Sequence, residues 1–110
     1  MKYLCLVYLD DAKLHAVPDS ECLAASEGLR AEGRVLAAEA LHPVDTATTL
    51  RLRDGKLTMT DGPFAETKEQ LAGFYLVDAV DLNEAIQLAA KIPPARAGSV
   101  EVRPIRELAP

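Results

Sequence analysis

The residues with the greatest capacity for chemistry lie around a short turn in the second half of the chain. Asp61 opens the sequence Asp-Gly-Pro, and Glu66 and Lys68 follow shortly after it. A carboxylate at the end of a strand, facing a turn, can act as a general acid or base on a bound molecule. The same Asp can instead accept backbone hydrogen bonds and fix the turn. Asp61 is therefore the first catalytic candidate, and Glu66 and Lys68 are ligand-binding candidates or members of a solvated charge run.

Three more side chains are candidates for a site. His42 precedes Pro43 near the end of a predicted strand, where an imidazole can relay a proton near neutral pH or lie on the surface. Arg51 and Arg53 project from one face of a predicted hairpin, where a guanidinium can hold a carboxylate or phosphate. Pairing with nearby glutamates at the surface is the alternative for both arginines. We take His42 as a second catalytic candidate and the two arginines as ligand-binding candidates.

Several kinds of site have no counterpart in this sequence. It contains no glycine-rich phosphate loop, no His-Glu-x-x-His motif, no paired His and Cys ligands and no serine in a nucleophile elbow. Cys5 and Cys22 lack the spacing of a zinc or redox motif and are expected to be buried free thiols. The sequence therefore indicates no metal and no cofactor.

Size and charge narrow the function further. A chain of 110 residues is long enough for one hydrophobic core, so a single domain over residues 1–110 is expected. The formal net charge of -5 would repel a polyphosphate, which argues against nucleic-acid binding. No apolar segment approaches the roughly 20 residues that cross a bilayer, so we expect a cytoplasmic protein without a membrane partner.

The hydrophobic pattern predicts the order strand, helix, strand, hairpin, strand, helix, strand. Asp54-Gly55 between two alternating segments is a strong hairpin signal, and Asp81 with Glu84 resembles a capping box. The segment 34–41 is compatible with a helix, but its position after Gly33 favours a strand. The predicted elements are a strand at 2–9, a helix from Asp19 or Ser20 to about Glu32, a strand at 34–41, a hairpin at 48–60, a strand at 72–80, a helix from Asp81 to Pro93-Pro94, and a strand at 99–103.

This order predicts an α+β, ferredoxin-like βαββαβ fold with an inserted β-hairpin and both helices on one face of an antiparallel sheet. The strands at 2–9 and 73–77 are apolar on both faces, although the helices can cover only one. We therefore expect a homodimer in which two sheets meet face to face, the alternative being a hairpin folded back over the open face. Phe64 is expected to insert into the core and hold its loop down.

The segment Thr60–Tyr75, TDGPFAETKEQLAGFY, resembles the name-giving motif of the DGPF proteins, a branch of the YCII-related family. The opening MKYLCLVY, the Asp54-Gly55-Lys56 turn and the closing GSVEVRP resemble the same branch. The resemblance spans nearly the whole chain. It implies a dimeric α+β barrel of ferredoxin-like subunits.

The resemblance also bears on partners and chemistry. Some members lie beside, or are fused to, extracytoplasmic-function sigma factors, which makes a sigma factor a candidate partner. Smaller relatives carry a His-Asp pair in a cleft, but the predicted first helix of this chain contains no histidine, so that pair cannot be carried over. We therefore expect a dimeric accessory domain that binds a small molecule or acts in regulation. The alternatives are a cofactor-free enzyme that uses Asp61 as general acid or base, and a structural dimer domain that acts through protein contacts.

Overall fold

The chain forms six strands and two α-helices in the predicted order, and the computed structural model describes all of residues 1–110. Short 3-10 turns connect several of these elements. The elements are β1 (Lys2–Asp10), α1 (Asp19–Ala31), β2 (Val35–Ala40), β3 (Thr48–Arg53), β4 (Lys56–Asp61), β5 (Glu69–Asp78), α2 (Leu82–Ala89) and β6 (Ser99–Pro104).

Four strands form an antiparallel sheet in the order β2-β5-β1-β6. This is the strand order of a ferredoxin-like fold once the hairpin is set aside, so the predicted fold class is confirmed. β1 and β5 occupy the centre of the sheet, and both carry apolar side chains on its two faces. The predicted strand at 34–41 is confirmed as β2, because its backbone pairs with β5 after the chain turns at Gly33 with a φ of 74°.

The core lies between one face of the sheet and the two helices. Tyr3, Cys5, Val7 and Leu9 alternate along β1 and are all buried on that face. Tyr75 and Val77 of β5 join them, and α2 contributes Ala85, Leu88 and Ala89. The opposite face of the sheet has no helix over it, and its apolar side chains are only half-buried. They are Leu4, Leu6, Tyr8, Phe74 and Leu76.

Two boundaries differ from the predicted ones by about three residues, and the others by less. β5 begins three residues earlier than expected, because Glu69 and Gln70 pair with the end of β1 and the strand then bulges before Gly73. α2 begins at its predicted cap, where the carboxylate of Asp81 accepts a hydrogen bond from the amide of Glu84 at 2.9 Å. It ends at Ala89, before Pro93-Pro94, because the following amides close tighter turns.

The hairpin of β3 and β4 forms a separate two-stranded sheet. Asp54 and Gly55 have φ angles of 52° and 75°, which is the backbone of a type I′ turn, so the predicted hairpin is confirmed. Leu50 lies opposite Met59, and Leu52 lies opposite Leu57. The hairpin extends sideways from the body, and the molecule measures 45 × 42 × 19 Å.

The alternative of a hairpin folded back over the sheet and the expected insertion of Phe64 are both wrong for the single chain. The apolar face of the hairpin does not cover the open face of the sheet, because its four large side chains stay between 58% and 70% exposed. Phe64 does not insert into the core either, since it is 79% exposed. The reason is the path of its loop, which is hydrogen-bonded to the hairpin and therefore stands away from the core together with it.

Candidate functional site

A cleft of about 460 Å³ lies at the root of the hairpin. One wall is the Asp-Gly-Pro loop between β4 and β5, and another is the short turn that follows β2. Apart from Val44 and Pro63 its lining is glycine or polar. The lining residues are Asp11, Val44, Asp45, Asp61, Gly62, Pro63, Glu66, Thr67, Lys68 and Gln70.

The first half of the loop is held by the hairpin and by the segment before it. The amide of Gly62 donates to the carbonyl of Ala47 at 2.7 Å, and the hydroxyl of Thr49 donates to the carbonyl of Gly62 at 2.8 Å. Arg51 Nη2 donates to the carbonyl of Phe64 at 3.4 Å. Gly62 has a φ of 106°, which a residue with a side chain rarely adopts. Backbone and polar-face contacts of the hairpin thus fix the turn.

The second half of the loop is held from β5. Gln70 Nε2 donates to the carbonyls of Ala65 and Thr67, both at 3.1 Å. The hydroxyl of Thr67 donates to the carbonyl of Glu69 at 2.7 Å. Side chains from both flanking strands therefore satisfy the carbonyls of the loop and give the cleft a defined wall.

Asp61 takes no part in holding this loop. It is exposed, it lines the cleft, and its carboxylate makes no hydrogen bond or ion pair within the chain. The interpretation that Asp61 accepts backbone amides to fix the turn therefore does not describe the folded chain. Its carboxylate is available to a molecule in the cleft.

The cleft is strongly acidic. Four of its lining residues are carboxylates, namely Asp11, Asp45, Asp61 and Glu66, against a single cation, Lys68. Such a lining attracts cations and hydrogen-bond donors and repels anions. These carboxylates do not form a group that could hold a metal ion.

The structure brings together some of the candidate residues and separates others. Asp61, Glu66 and Lys68 line one cleft. Arg51 is half-buried and bonds the loop behind that cleft, so its guanidinium has a structural contact. Arg53 is exposed at the tip of the hairpin, where it bonds the carbonyl of Leu52 at 3.1 Å. His42 is exposed after β2 and is not part of the cleft lining.

Sequence reasoning missed four contributors to the site. Asp11 follows β1 and Asp45 lies in the turn after β2, and only the folding of the sheet brings them to the cleft. Nothing in their local sequence marks them as site residues. Thr49 and Gln70, which hold the loop, have a weak signal, since both lie in strands that flank the Asp-Gly-Pro turn.

Neither cysteine is positioned to act as a nucleophile. Both are free thiols, as expected, although Cys22 is only half-buried. Burial raises the pKa of the Cys5 thiol to about 11. Desolvation, with a smaller contribution from Asp19 and Glu21, also raises the pKa of Cys22. Both thiols are therefore protonated at neutral pH.

None of the helices combines the length and the hydrophobicity that a membrane span requires.

Comparison with known proteins identifies the group to which the chain is related. The chain is 51% identical over 67 residues to the uncharacterized protein R00369 of Rhizobium meliloti (strain 1021). The alignment covers 59% of this chain and 54% of that protein, so the chain spans about half the length of the curated relative.

A solved structure shares the fold across almost the whole chain. It is described as 5-chloro-2-hydroxyhydroquinone dehydrochlorinase (TftG) from Burkholderia phenoliruptrix AC1100 in complex with 2,5-dihydroxybenzoquinone. The match has a TM-score of 0.58, covers 96% of this chain and 94% of that one, and has 17% sequence identity. It supports a ferredoxin-like α+β architecture.

The sequence as a whole gives the family. Residues 1–109 match the family model described as the YCII-related domain. This agrees with the resemblance seen around the Asp-Gly-Pro-Phe segment, and the chain belongs to the YCII-related domain family.

Proposed function

We propose that this chain binds a small polar molecule in the cleft beside Asp61 and serves as a ligand-binding or regulatory accessory domain. The observation that carries the proposal is that different side chains hold the Asp-Gly-Pro loop and face its cleft. Thr49, Arg51 and Gln70 hold the loop, whereas the carboxylate of Asp61 has no partner in the chain. A carboxylate that the fold does not use, on the wall of a cleft, is suited to binding a ligand.

The lining indicates the chemistry of the ligand. The cleft volume of about 460 Å³ lies within the range of small-molecule sites. Four carboxylates and one lysine favour a neutral or cationic molecule rich in hydrogen-bond donors, such as an amine or a polyol. Apolar contact is limited to residues such as Val44 and Pro63, so a large hydrophobic ligand would find little complementary surface.

The dehydrochlorinase with the same fold supports the proposal at the level of architecture. Its description names a complex with a small ring compound, so this fold is compatible with small-molecule binding. At 17% identity neither that compound nor that reaction transfers to the present chain.

Thermal unfolding in the presence of a panel of amines, polyols and carboxylic acids tests the proposal. We expect at least one amine or polyol to raise the melting temperature of the wild type, and carboxylic acids to have no effect. Asp61→Asn should abolish the shift. Asp54→Asn, the same change at the other end of the hairpin and outside the cleft, should leave it intact. Equal shifts in all three proteins would contradict a site at Asp61.

A cofactor-free enzyme is the second candidate. It is favoured by Asp61 and Lys68 lining one cleft, where a carboxylate and an ammonium could move a proton and stabilise developing negative charge. Any compound that stabilises the protein would then be followed for chemical change by NMR. Conversion by the wild type, lost in Asp61→Asn, would support catalysis, and an unchanged compound would leave binding alone as the function.

We infer separately that the chain associates with a second copy. The open face of the sheet exposes parts of Leu4, Leu6, Tyr8, Phe74 and Leu76, and a second copy is the simplest way to cover it. The link to an extracytoplasmic-function sigma factor and the cytoplasmic location stay predictions from the sequence. Co-purification with a sigma factor from the native host would test the first of them.

A further inference from the structure

The two faces of the hairpin are used differently by the chain. Thr49 and Arg51 lie on the polar face, and both are half-buried because they bond the Asp-Gly-Pro loop. The other face carries four apolar side chains that remain between 58% and 70% exposed. They are Leu50, Leu52, Leu57 and Met59, which we call the hairpin patch.

We propose that a second copy of this chain covers the hairpin patch and thereby closes the cleft that contains Asp61. The cross-strand register shows how the hairpin patch and Asp61 are placed relative to each other. Thr48 pairs with Asp61, Leu50 with Met59, and Leu52 with Leu57. Side chains two residues apart on a strand lie on the same face, so Asp61 shares its face with the patch. A surface that seals the patch also passes over Asp61.

Exposure argues for a second copy that uses the hairpin as well as the sheet. The apolar side chains on the open face of the sheet are already half-buried, whereas the four side chains of the hairpin patch are between 58% and 70% exposed. Removing a large apolar side chain from water contributes up to roughly 1.5–3 kcal/mol. The hairpin patch therefore offers a second copy more per side chain than the open face of the sheet does.

The charges of the hairpin favour one orientation of the two copies. Arg53 and Lys56 pair at the tip, where Asp54 offsets one of the two charges, whereas the cleft at the root is acidic. Two hairpins stacked about a twofold axis run either tip over tip or tip over root. The first arrangement brings like charges together and the second brings opposite charges together. We therefore expect the tip of each hairpin to lie over the cleft of the other copy.

The role of the closed cleft in ligand binding rests on the proposed function, but the closure of the cleft by a second copy does not. If the cleft binds a ligand, that ligand and the second copy meet at one site, and each changes the affinity for the other by the same factor. The following measurements use no ligand. Their failure can therefore be told apart from the failure of the binding proposal.

The first measurement is the dimer dissociation constant by sedimentation equilibrium, for the wild type and for the double variant Leu52→Thr/Leu57→Thr. This change keeps strand-forming residues and removes apolar surface at an exposed pair, so the fold should be retained. The control is Leu23→Thr/Leu108→Thr, the same change at exposed positions in α1 and in the C-terminal segment. We expect the hairpin variant to raise the dissociation constant at least about 100-fold and the control to leave it within about threefold.

The second measurement is the reactivity of a thiol placed in the cleft by Asp61→Cys, in a Cys22→Ala background. Cys5 does not compete, because it is fully buried and its pKa is raised to about 11. The control is Thr58→Cys, on the polar face of β4. We expect the reaction of the thiol at position 61 with a disulfide reagent to slow at least about tenfold as the protein concentration rises through the dissociation constant. The rate at position 58 should stay constant.

Both results together support the proposal. A wild type that stays monomeric at all concentrations overturns it, and so does a dimer that the hairpin variant leaves unchanged. A dimer that depends on the hairpin but leaves the thiol at position 61 equally reactive overturns the closure of the cleft.

Discussion

The effect of Asp61→Asn on stability distinguishes a carboxylate that is free to bind a ligand from one that fixes a turn. A turn or cap carboxylate typically contributes 0.5–2 kcal/mol through its backbone hydrogen bonds. Asp61 makes no such bond, and three more carboxylates line the same cleft. We therefore expect Asp61→Asn to change the free energy of unfolding by less than about 0.5 kcal/mol, with a slight gain from reduced charge repulsion.

Thr49→Val provides the matched comparison in the same loop. Its hydroxyl donates to the carbonyl of Gly62 at 2.8 Å in a partly buried position. The substitution keeps the shape of the side chain and leaves that carbonyl without its donor, which should cost about 1 kcal/mol.

Urea unfolding of the wild type and both variants measures these differences. All three proteins are compared at one fixed concentration, because any self-association would add to the apparent stability. A loss of 1 kcal/mol or more in Asp61→Asn with no loss in Thr49→Val would contradict these expectations. Asp61 would then be the residue that fixes the turn.

Four further expectations concern other parts of the molecule. Gly98→Ala should destabilise the fold by roughly 3 kcal/mol or more in urea unfolding, because the added methyl would collide with the backbone oxygen of Tyr8. Gly28→Ala, within α1 and with open space around it, should stabilise by about 0.5–1 kcal/mol. The free energy of unfolding should fall as the pH rises from 9 to 11. Burial raises the folded-state pKa of Cys5 from 9.0 to about 11, so only the unfolded thiol ionises in that interval. Cys5→Ala should remove the contribution of this thiol to the pH dependence. If the proposed dimer forms, Arg53→Glu should weaken it in sedimentation at low salt and have less effect at high salt, since the change reverses a charge at the hairpin tip that the proposal places over the acidic cleft.

The sequence predicted the features that depend on local pattern. The alternation around Asp54-Gly55 is enough for a hairpin, because a type I′ turn needs residues that accept positive φ. The nearly continuous apolar run at 2–9 was enough to predict a strand there, which the structure shows as β1. The cap at Asp81 followed from the spacing of Asp81 and Glu84 alone.

The sequence could not predict which apolar surfaces the folded chain itself covers. An amphipathic hairpin has an apolar face whether or not its own chain covers it, so the exposure of Leu50 and Met59 could not be anticipated. Phe64 was placed in the core because large aromatic residues are usually buried, but the bond from Arg51 to its carbonyl keeps its loop with the hairpin.

The sequence also could not predict which residues line the cleft. Asp11 and Asp45 are distant from Asp61 in the chain and meet it only through the packing of the sheet. Arg51 was taken as a ligand-binding residue, and whether a guanidinium meets a ligand or a backbone carbonyl depends on the path of a loop. The candidate that sequence reasoning ranked first, Asp61, has a carboxylate that makes no hydrogen bond or ion pair within the chain.

A two-dimensional amide NMR titration shows whether the cleft at Asp61 receives a small molecule rich in hydrogen-bond donors. A simple alkyl diamine and a simple sugar alcohol are titrated into the labelled wild type and into Asp61→Asn. We expect saturable shifts confined to amides around the cleft, such as those of Gly62, Thr67 and Lys68, and their loss in the variant. Shifts that cluster elsewhere, or that persist unchanged in Asp61→Asn, would rule out a binding site at Asp61.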